Sequence, residues 1–388
     1  MDNILVISDF PDVQYKKESG TPAFRLIIEE LSKKYIVHII AQDGIAQSEN
    51  NIIYHRISYY DFLPNSIRLF RVINTKLFWF NFTYSSFNLA CKLHMQYNFK
   101  LVCGMGYKSV YTVAKVGYKL EIPSIGRLFG TYLYPFLNEP LSLLLRFDES
   151  IAFKSNCTKF LITNDGTAGD EVAEHFGISK ERLCFWRNGV DCPPKCSLIS
   201  SDKIRIISLA RLQDWKRVDR IITAFAHASL KNEKIVLDIV GSGLEEINLK
   251  NLVKKYDDLY YDIGYKIAFH GEVSREKALT LLGCSDIFIS TNDYSNVSNS
   301  LMEAMFGGKG IIVLNTGKTS DIIDGINGLL VNESELSNAI IQLCDKNTCE
   351  LFGYKARQYA VDHFESWESR ITKEVVLYES LIYNGEVK

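Results

Sequence analysis

The sequence has no C-x-x-C pair, no hydrophobic run long enough to span a bilayer and no complete dinucleotide-binding glycine fingerprint. Nine cysteines are scattered at 91, 103, 157, 184, 192, 196, 284, 344 and 349, which predicts reduced, partly buried thiols rather than a disulfide framework. Cys192 and Cys196 are close in sequence, but a zinc site takes four ligands and no second Cys or His pair stands nearby. The richest apolar run, Leu77-Phe78-Trp79-Phe80-Asn81-Phe82, falls far short of the roughly 20 residues of a transmembrane helix. Met1-Asp2-Asn3 leads directly into Ile4 without a basic n-region, so no signal peptide is expected and the predicted location is cytoplasmic.

Net charge is also scarce. A formal value of −2 argues against a nucleic-acid binder. Its distribution is uneven, because between residues 51 and 120 the single acid Asp61 faces Arg56, Arg68, Arg71, Lys76, Lys92, Lys100, Lys108, Lys115 and Lys119. One face of the first half is therefore expected to be basic. The aromatic stretch from Ile67 to Leu93 reads as a helix burying Phe70, Leu77, Phe78 and Phe82, or alternatively as a surface for a lipid-linked acceptor or an anionic membrane.

At 388 residues the chain exceeds the usual size of one hydrophobic core. Short β-rich runs alternate with amphipathic helical patterns, the signature of parallel sheets covered by helices. In the first half, strands are expected at Ile4 to Ser8, Tyr35 to Ala41, Leu101 to Cys103, Ser124 to Arg127, Lys159 to Thr163 and Cys184 to Trp186. Thr21 and Pro22 signal the start of the first helix. The turn Asn188-Gly189-Val190-Asp191 and a polar, proline-containing connector then interrupt the pattern. A second series follows, with strands at Ile204 to Leu209, Val236 to Val240, Ile267 to His270, Ile287 to Ser290 and Gly310 to Leu314. The expected fold class is α/β, with two Rossmann-like doubly wound parallel-sheet domains facing a central cleft. Their expected extents are 1–190 and 204–366, with a linker at 191–203 and a C-terminal helix from 367 to 388 packing back on the first domain.

The densest chemistry lies in the second half. Arg211 and Lys216 follow an apolar strand, where a guanidinium fork and a mobile ammonium can neutralise phosphate oxygens. Some ninety residues later a helix opens near Asn299 or Ser300 after a leader rich in capping residues, Asn292 to Asn299. Free amides at such an N-terminus favour an anion. Glu303, one turn in, stands among apolar neighbours and can accept hydrogen bonds from two ribose hydroxyls. The loop Gly241-Ser242-Gly243 is either a close backbone approach at this site or a plain turn.

In this setting the second half resembles the donor domain of the GT-B retaining glycosyltransferases, family four. The resemblance runs from Asn188 to about Tyr378. It rests on Asn188 to Asp191, Arg211 to Lys216, Phe269 to Val273, Ser285 to Phe288, Leu301 to Met305 and Asp324 to Val331, in that order. It implies that Arg211 and Lys216 contact a diphosphate and Glu303 a ribose. It also implies that the backbone around Asn299, Ser300 and Leu301 meets the phosphates and Val273 the base, with Gly20, Asn188 and Gly241 among the donor-binding positions.

Two departures accompany the resemblance. Ser295 stands where the family has a glutamate, so Asn296 or Asn299 is expected to meet sugar hydroxyls. Leu128-Phe129-Gly130-Thr131 replaces an expected His-Gly pair. The implied activity is metal-independent transfer of a sugar from a nucleoside-diphosphate sugar to a glycan or lipid-linked acceptor in surface polysaccharide or glycoconjugate synthesis, with no cofactor. A catalytically silent nucleotide-sugar binder and a sugar-nucleotide epimerase are the competing readings, with a nicotinamide dehydrogenase disfavoured by the missing fingerprint.

Overall fold

A computed structural model describes residues 1–9, 22–42, 50–58, 68–196, 202–260, 262–294, 297–316 and 321–384. Gly20, Thr21, Ser295 and Asn296 lie outside them. The chain divides into two compact units: Gly20–Asn188 with the N-terminal strand and Glu368–Lys388 in the first, Gly189–Trp367 in the second.

The first unit is built on seven parallel strands: β1 (Asn3–Ser8), β2 (Ile36–Gln42), β3 (Ile52–Ile57), β4 (Val102–Met105), β5 (Ser124–Leu128), β6 (Lys159–Thr163) and β7 (Leu183–Trp186). They run in the order β3-β2-β1-β4-β5-β6-β7. Ile4, Leu5, Val6 and Ile7 are all fully buried. Such a continuous apolar run is what a parallel strand covered on both faces requires. Strand β3 was not anticipated; its Ile-Ile-Tyr-His-Arg-Ile sequence mixes polar and apolar residues because it lies at the sheet edge, half-buried.

The helix Trp367–Asn384 buries Ile371, Val375, Tyr378 and Leu381, spaced three or four apart, while Val376 points to solvent. It is anchored to the first sheet by the Tyr378 hydroxyl, 2.8 Å from Cys103 Sγ on β4. Charge adds a second anchor. Glu374 lies between Arg370, at 2.9 Å, and Arg127 of β5, at 3.5 Å, with all three side chains 1% exposed.

The second unit has six parallel strands: β8 (Ile204–Leu209), β9 (Ile235–Val240), β10 (Ile267–Gly271), β11 (Ile287–Ser290), β12 (Gly310–Leu314) and β13 (Leu329–Val331), in the order β10-β9-β8-β11-β12-β13. The helix Val218–Ser229 connects β8 to β9 along the chain, and its Val218, Ile221, Ile222 and Phe225 follow helical spacing and are buried. Each contributes roughly 1.5–3 kcal/mol by leaving water.

Both sheets are thus doubly wound, as the alternation of elements predicted. One cysteine expectation is corrected. Cys196 and Cys284, 88 residues apart in sequence, form a disulfide with their Cα atoms 4.8 Å apart, a separation suited to the bond. The other seven cysteines are free.

Candidate nucleotide-sugar site

In the second sheet the winding direction reverses between β8 and β11, which pair through Ile206 with Ile287 and Ile207 with Phe288. Loops leaving the carboxyl ends of two such strands diverge and open a crevice, the usual ligand position in this architecture. The loop after β8 carries Arg211 and Lys216, and the loop after β11 leads into the helix Asn299–Phe306.

Hydrogen bonds and an ion pair tie these segments together. The Ser300 hydroxyl donates to the carbonyl of Leu209, the last residue of β8, at 2.9 Å. The Asp293 amide donates to the Trp215 carbonyl at 2.9 Å, fixing the helix leader to the turn Asp214–Lys216. Arg220 holds the Asp293 carboxylate at 2.6 Å. Lys216 lies with its Nζ 4.0 Å from the Trp215 ring centroid, and the indole Nε1 donates to Gln213 at 2.8 Å. Arg211 is exposed while Leu212 beside it is buried. The loop thus roots itself through an apolar residue and leaves its cation outside.

Gly241 supplies the floor. Its φ is +133°, and a Cβ added there would lie 2.0 Å from the Ala210 carbonyl oxygen. Ser242 accepts the Leu212 amide at 2.8 Å, and a Cβ on Gly243 would strike the Leu212 carbonyl at 2.2 Å. Gly-Ser-Gly thus packs closely against the backbone of the loop that carries Arg211. Gly241→Ala is accordingly expected to destabilise the protein by roughly 2 kcal/mol or more, since strain and overlap with immobile backbone add. A denaturation midpoint equal to the wild type would contradict it.

The helix Asn299–Phe306 is capped by Ser298, whose hydroxyl accepts the Leu301 amide at 3.2 Å. That amide, expected to face a phosphate, is therefore already engaged; Asn299 and Ser300 precede it in the first turn. Glu303 is buried on this helix, 2% exposed. Lys309, the alternative partner the sequence suggests for it, donates instead to the carbonyls of Gly283 and Ser285. The Glu303 Oε1 accepts from Arg275 Nη2 at 2.5 Å, and Arg275 also donates through Nε and Nη2 to Asp191 Oδ2 at 2.9 and 2.6 Å. Burial pushes the Glu303 carboxyl up to about 7, while Arg275 pulls it down and Asp191 adds to the rise.

Arg275 was missed. One signal existed, since a cation in the first turn of a helix opposes the macrodipole and calls for an acidic partner.

Val273 is half-buried against the cluster containing Leu301, Met302 and Met305. Asn188 belongs to the first unit and the other described candidates to the second. The turn that follows Asn188 is tight, because a Cβ on Gly189 would meet Trp367 Cα at 2.4 Å and the Val190 amide donates to the Glu365 carbonyl at 3.0 Å. Gly20 and Asn296 lie outside the described residues. Among the described residues no group of three or more His, Cys, Asp or Glu is placed to hold a metal ion, and no helix is long and apolar enough to cross a membrane.

Residues 194–359 match the family model of Glycosyl transferases group 1. A curated relative, an uncharacterized glycosyltransferase of Methanocaldococcus jannaschii, is 32% identical over 189 residues, which cover 47% of this chain and 46% of that protein. The chain thus matches less than half of that relative's length. Sucrose-phosphate synthase of Thermosynechococcus elongatus superposes with a TM-score of 0.73 at 17% identity, covering 98% of this chain and 99% of the other. Anabaena HepE in complex with UDP-glucose gives 0.70 at 16% identity, covering 97% and 99%. At such identities the likeness is one of fold. The two units have the Rossmann-like domains of GT-B glycosyltransferases, and the second carries the group 1 sequence pattern.

Proposed function

We propose that the protein is a retaining glycosyltransferase that moves a sugar from a nucleoside-diphosphate sugar to a glycan or lipid-linked acceptor in surface polysaccharide or glycoconjugate synthesis. The reading is carried by the placement of Arg211, Lys216 and the Asn299–Phe306 N-terminus at one topological switch point, tied by the Ser300 and Asp293 hydrogen bonds. Arg211 and Lys216 neutralise the diphosphate, the Asn299 and Ser300 amides face its oxygens, Glu303 accepts ribose hydroxyls and Val273 lies beside the base.

The chemistry asks little of the protein as a base. The bond from the anomeric carbon to the phosphate oxygen breaks, the acceptor oxygen bonds to the same face, and its proton passes to the departing diphosphate. Catalysis then consists of stabilising charge on that leaving group and aligning the acceptor. Two fixed cations supply the positive charge, so the proposal includes no required metal or other cofactor. Nucleotide-sugar binding has a parallel in the Anabaena HepE complexes with UDP and UDP-glucose. The test is to screen UDP-, GDP- and ADP-sugars by thermal shift, then to assay nucleotide release and product configuration with glycan and lipid-linked acceptors. A raised melting temperature with acceptor-dependent release and a retained anomer supports the reading. No stabilisation by any donor, or an inverted product, counts against it.

The acceptor side of the proposal places the first unit at an anionic membrane surface, from a cytoplasmic location. On the 30-residue helix Arg68–Tyr97, Ile73, Leu77, Phe80 and Tyr84 form an exposed stripe at helical spacing. The Phe80 ring lies 5.8 Å from Phe147, which follows the exposed Leu141, Leu144 and Leu145. Exposed Lys92, Lys115 and Lys154 lie on this helix and in the segments that follow. Exposed apolar residues on a unit that also exposes these lysines match anionic headgroups over acyl chains. Sedimentation with phosphatidylglycerol vesicles is expected to retain the wild type and to lose Leu144→Glu/Phe80→Glu. Equal recovery of both proteins would remove the membrane from the proposal.

A further inference from the structure

We propose that Arg275 is a positioning residue for nucleotide binding: held by Asp191, it orients Glu303 and favours its ionised form, so that a buried carboxylate can accept the ribose hydroxyls. The inference rests on the donor-site reading above and adds to it a function for two side chains outside the diphosphate contacts. Its basis is geometric. Arg275 spends Nε and Nη2 on Asp191 Oδ2 and shares Nη2 with Glu303 Oε1, so one guanidinium joins the turn before the second unit's first strand to the middle of the Asn299–Phe306 helix. A carboxylate 2% exposed would be neutral without a partner, and a neutral acid offers the ribose one fewer acceptor.

Among the described residues Arg275 and Asp191 are the charges that act on Glu303; the helix Arg275–Gly283, packed beside it, also carries Glu276 and Lys277 in its first turn. The helix Lys346–His363, packed on Asn299–Phe306, buries Phe352, Gly353, Ala356 and Ala360, and its Tyr359 donates to Asp321 at 2.9 Å. Strands β11 and β12 contribute only Ile, Phe, Ser, Gly, Val and Leu. Lys309 donates to the carbonyls of Gly283 and Ser285.

The sign follows from the raised value. Donor binds the ionised form, so affinity is full above a pH of about 7 and is lost as pH falls through it. From about pH 8.5 to about pH 5.5 the wild-type dissociation constant is expected to rise about thirtyfold. UDP-glucose is the probe, with GDP- and ADP-glucose in parallel, because a diphosphate diester does not titrate in that range. Arg275→Met moves the midpoint upward and weakens binding at least about tenfold at about pH 7.5, with recovery toward about pH 9. Arg275→Lys restores most of the affinity and returns the midpoint toward the wild type. Glu303→Gln binds weakly and without pH dependence.

A merely structural arginine would weaken Arg275→Met equally at every pH, and that result overturns the proposal. If Arg275→Met does not fold, a midpoint in Arg275→Lys no higher than that of the wild type at reduced affinity overturns it as well. Wild-type affinity flat across the range overturns this inference alone. Failure of all three sugar nucleotides to bind the wild type overturns the donor-site reading and this inference with it.

Discussion

Lys216→Ala is expected to lower kcat by about 100-fold or more while KM for the donor changes far less. The lysine stands in the turn Asp214–Lys216, whose backbone is held by the Lys216 amide on Gln213 and by the Trp215 carbonyl under Asp293. Neither bond uses its side chain. Truncation removes the charge and its contact with the Trp215 ring and leaves these backbone bonds in place. In the proposed reaction negative charge grows on the departing diphosphate, so an ammonium aimed at it stabilises the transition state more than the ground state. Loss of one such contact typically costs two to three orders of magnitude. Lys216→Arg keeps the charge in a different geometry and should recover part of the rate. An unaltered kcat in pure, folded Lys216→Ala would refute the assignment, and a change confined to KM would make Lys216 a binding residue only.

The largest stability effect is expected at Glu374. It lies between two guanidinium groups that are as buried as it is, Arg127 and Arg370, at 3.5 and 2.9 Å. Arg127 also donates to the Leu128 carbonyl and to Thr163, both at 2.8 Å, and Arg370 to the Arg187 carbonyl at 2.8 Å. These bonds keep both arginines in place once the carboxylate is gone. Glu374→Ala then leaves two like charges without a counter-ion in a low-dielectric interior, at a cost of about 3–5 kcal/mol. Urea unfolding followed by fluorescence should show the first unit melting at lower denaturant. A midpoint shift worth less than about 1 kcal/mol would mean that water reaches the cluster. Replacing all three residues by apolar ones of similar volume should be far milder, since burying charges is itself unfavourable.

How much of this was legible depends on the range over which each signal acts. Strands β1, β8 and β11 announce themselves as short β-branched runs, and the helix Val218–Ser229 by apolar residues at 218, 221, 222 and 225. Strand β13, with three residues, is too short to separate from a turn, and β3, at an edge, mixes polar and apolar residues without a clear period. The C-terminal helix shows the same limit. Its spacing marks an apolar face, but Val376 lies outside that face and Arg370 and Glu374 lie inside it, because the partner surface offers Arg127. At the candidate site, Arg211, Lys216 and Glu303 stand out locally as charges at the ends of apolar elements. Arg275 carries only the weak signal of a cation in a helix's first turn, since its partners are 84 and 28 residues away.

The amino-acid sequence alone determined the doubly wound α/β class, the two series of strands and the group of cations and carboxylate in the second half. Periodicity, glycine placement and capping are properties of neighbouring residues, and a single chain displays them directly. Tertiary structure alone decided the strand order that sets the switch point at β8 and β11, and the close fit of Gly241 under Ala210. It also decided the Cys196–Cys284 disulfide and the Asp191–Arg275–Glu303 chain. Each joins groups distant along the chain. Their energies depend on distance and burial, which exist only once the sheets have formed.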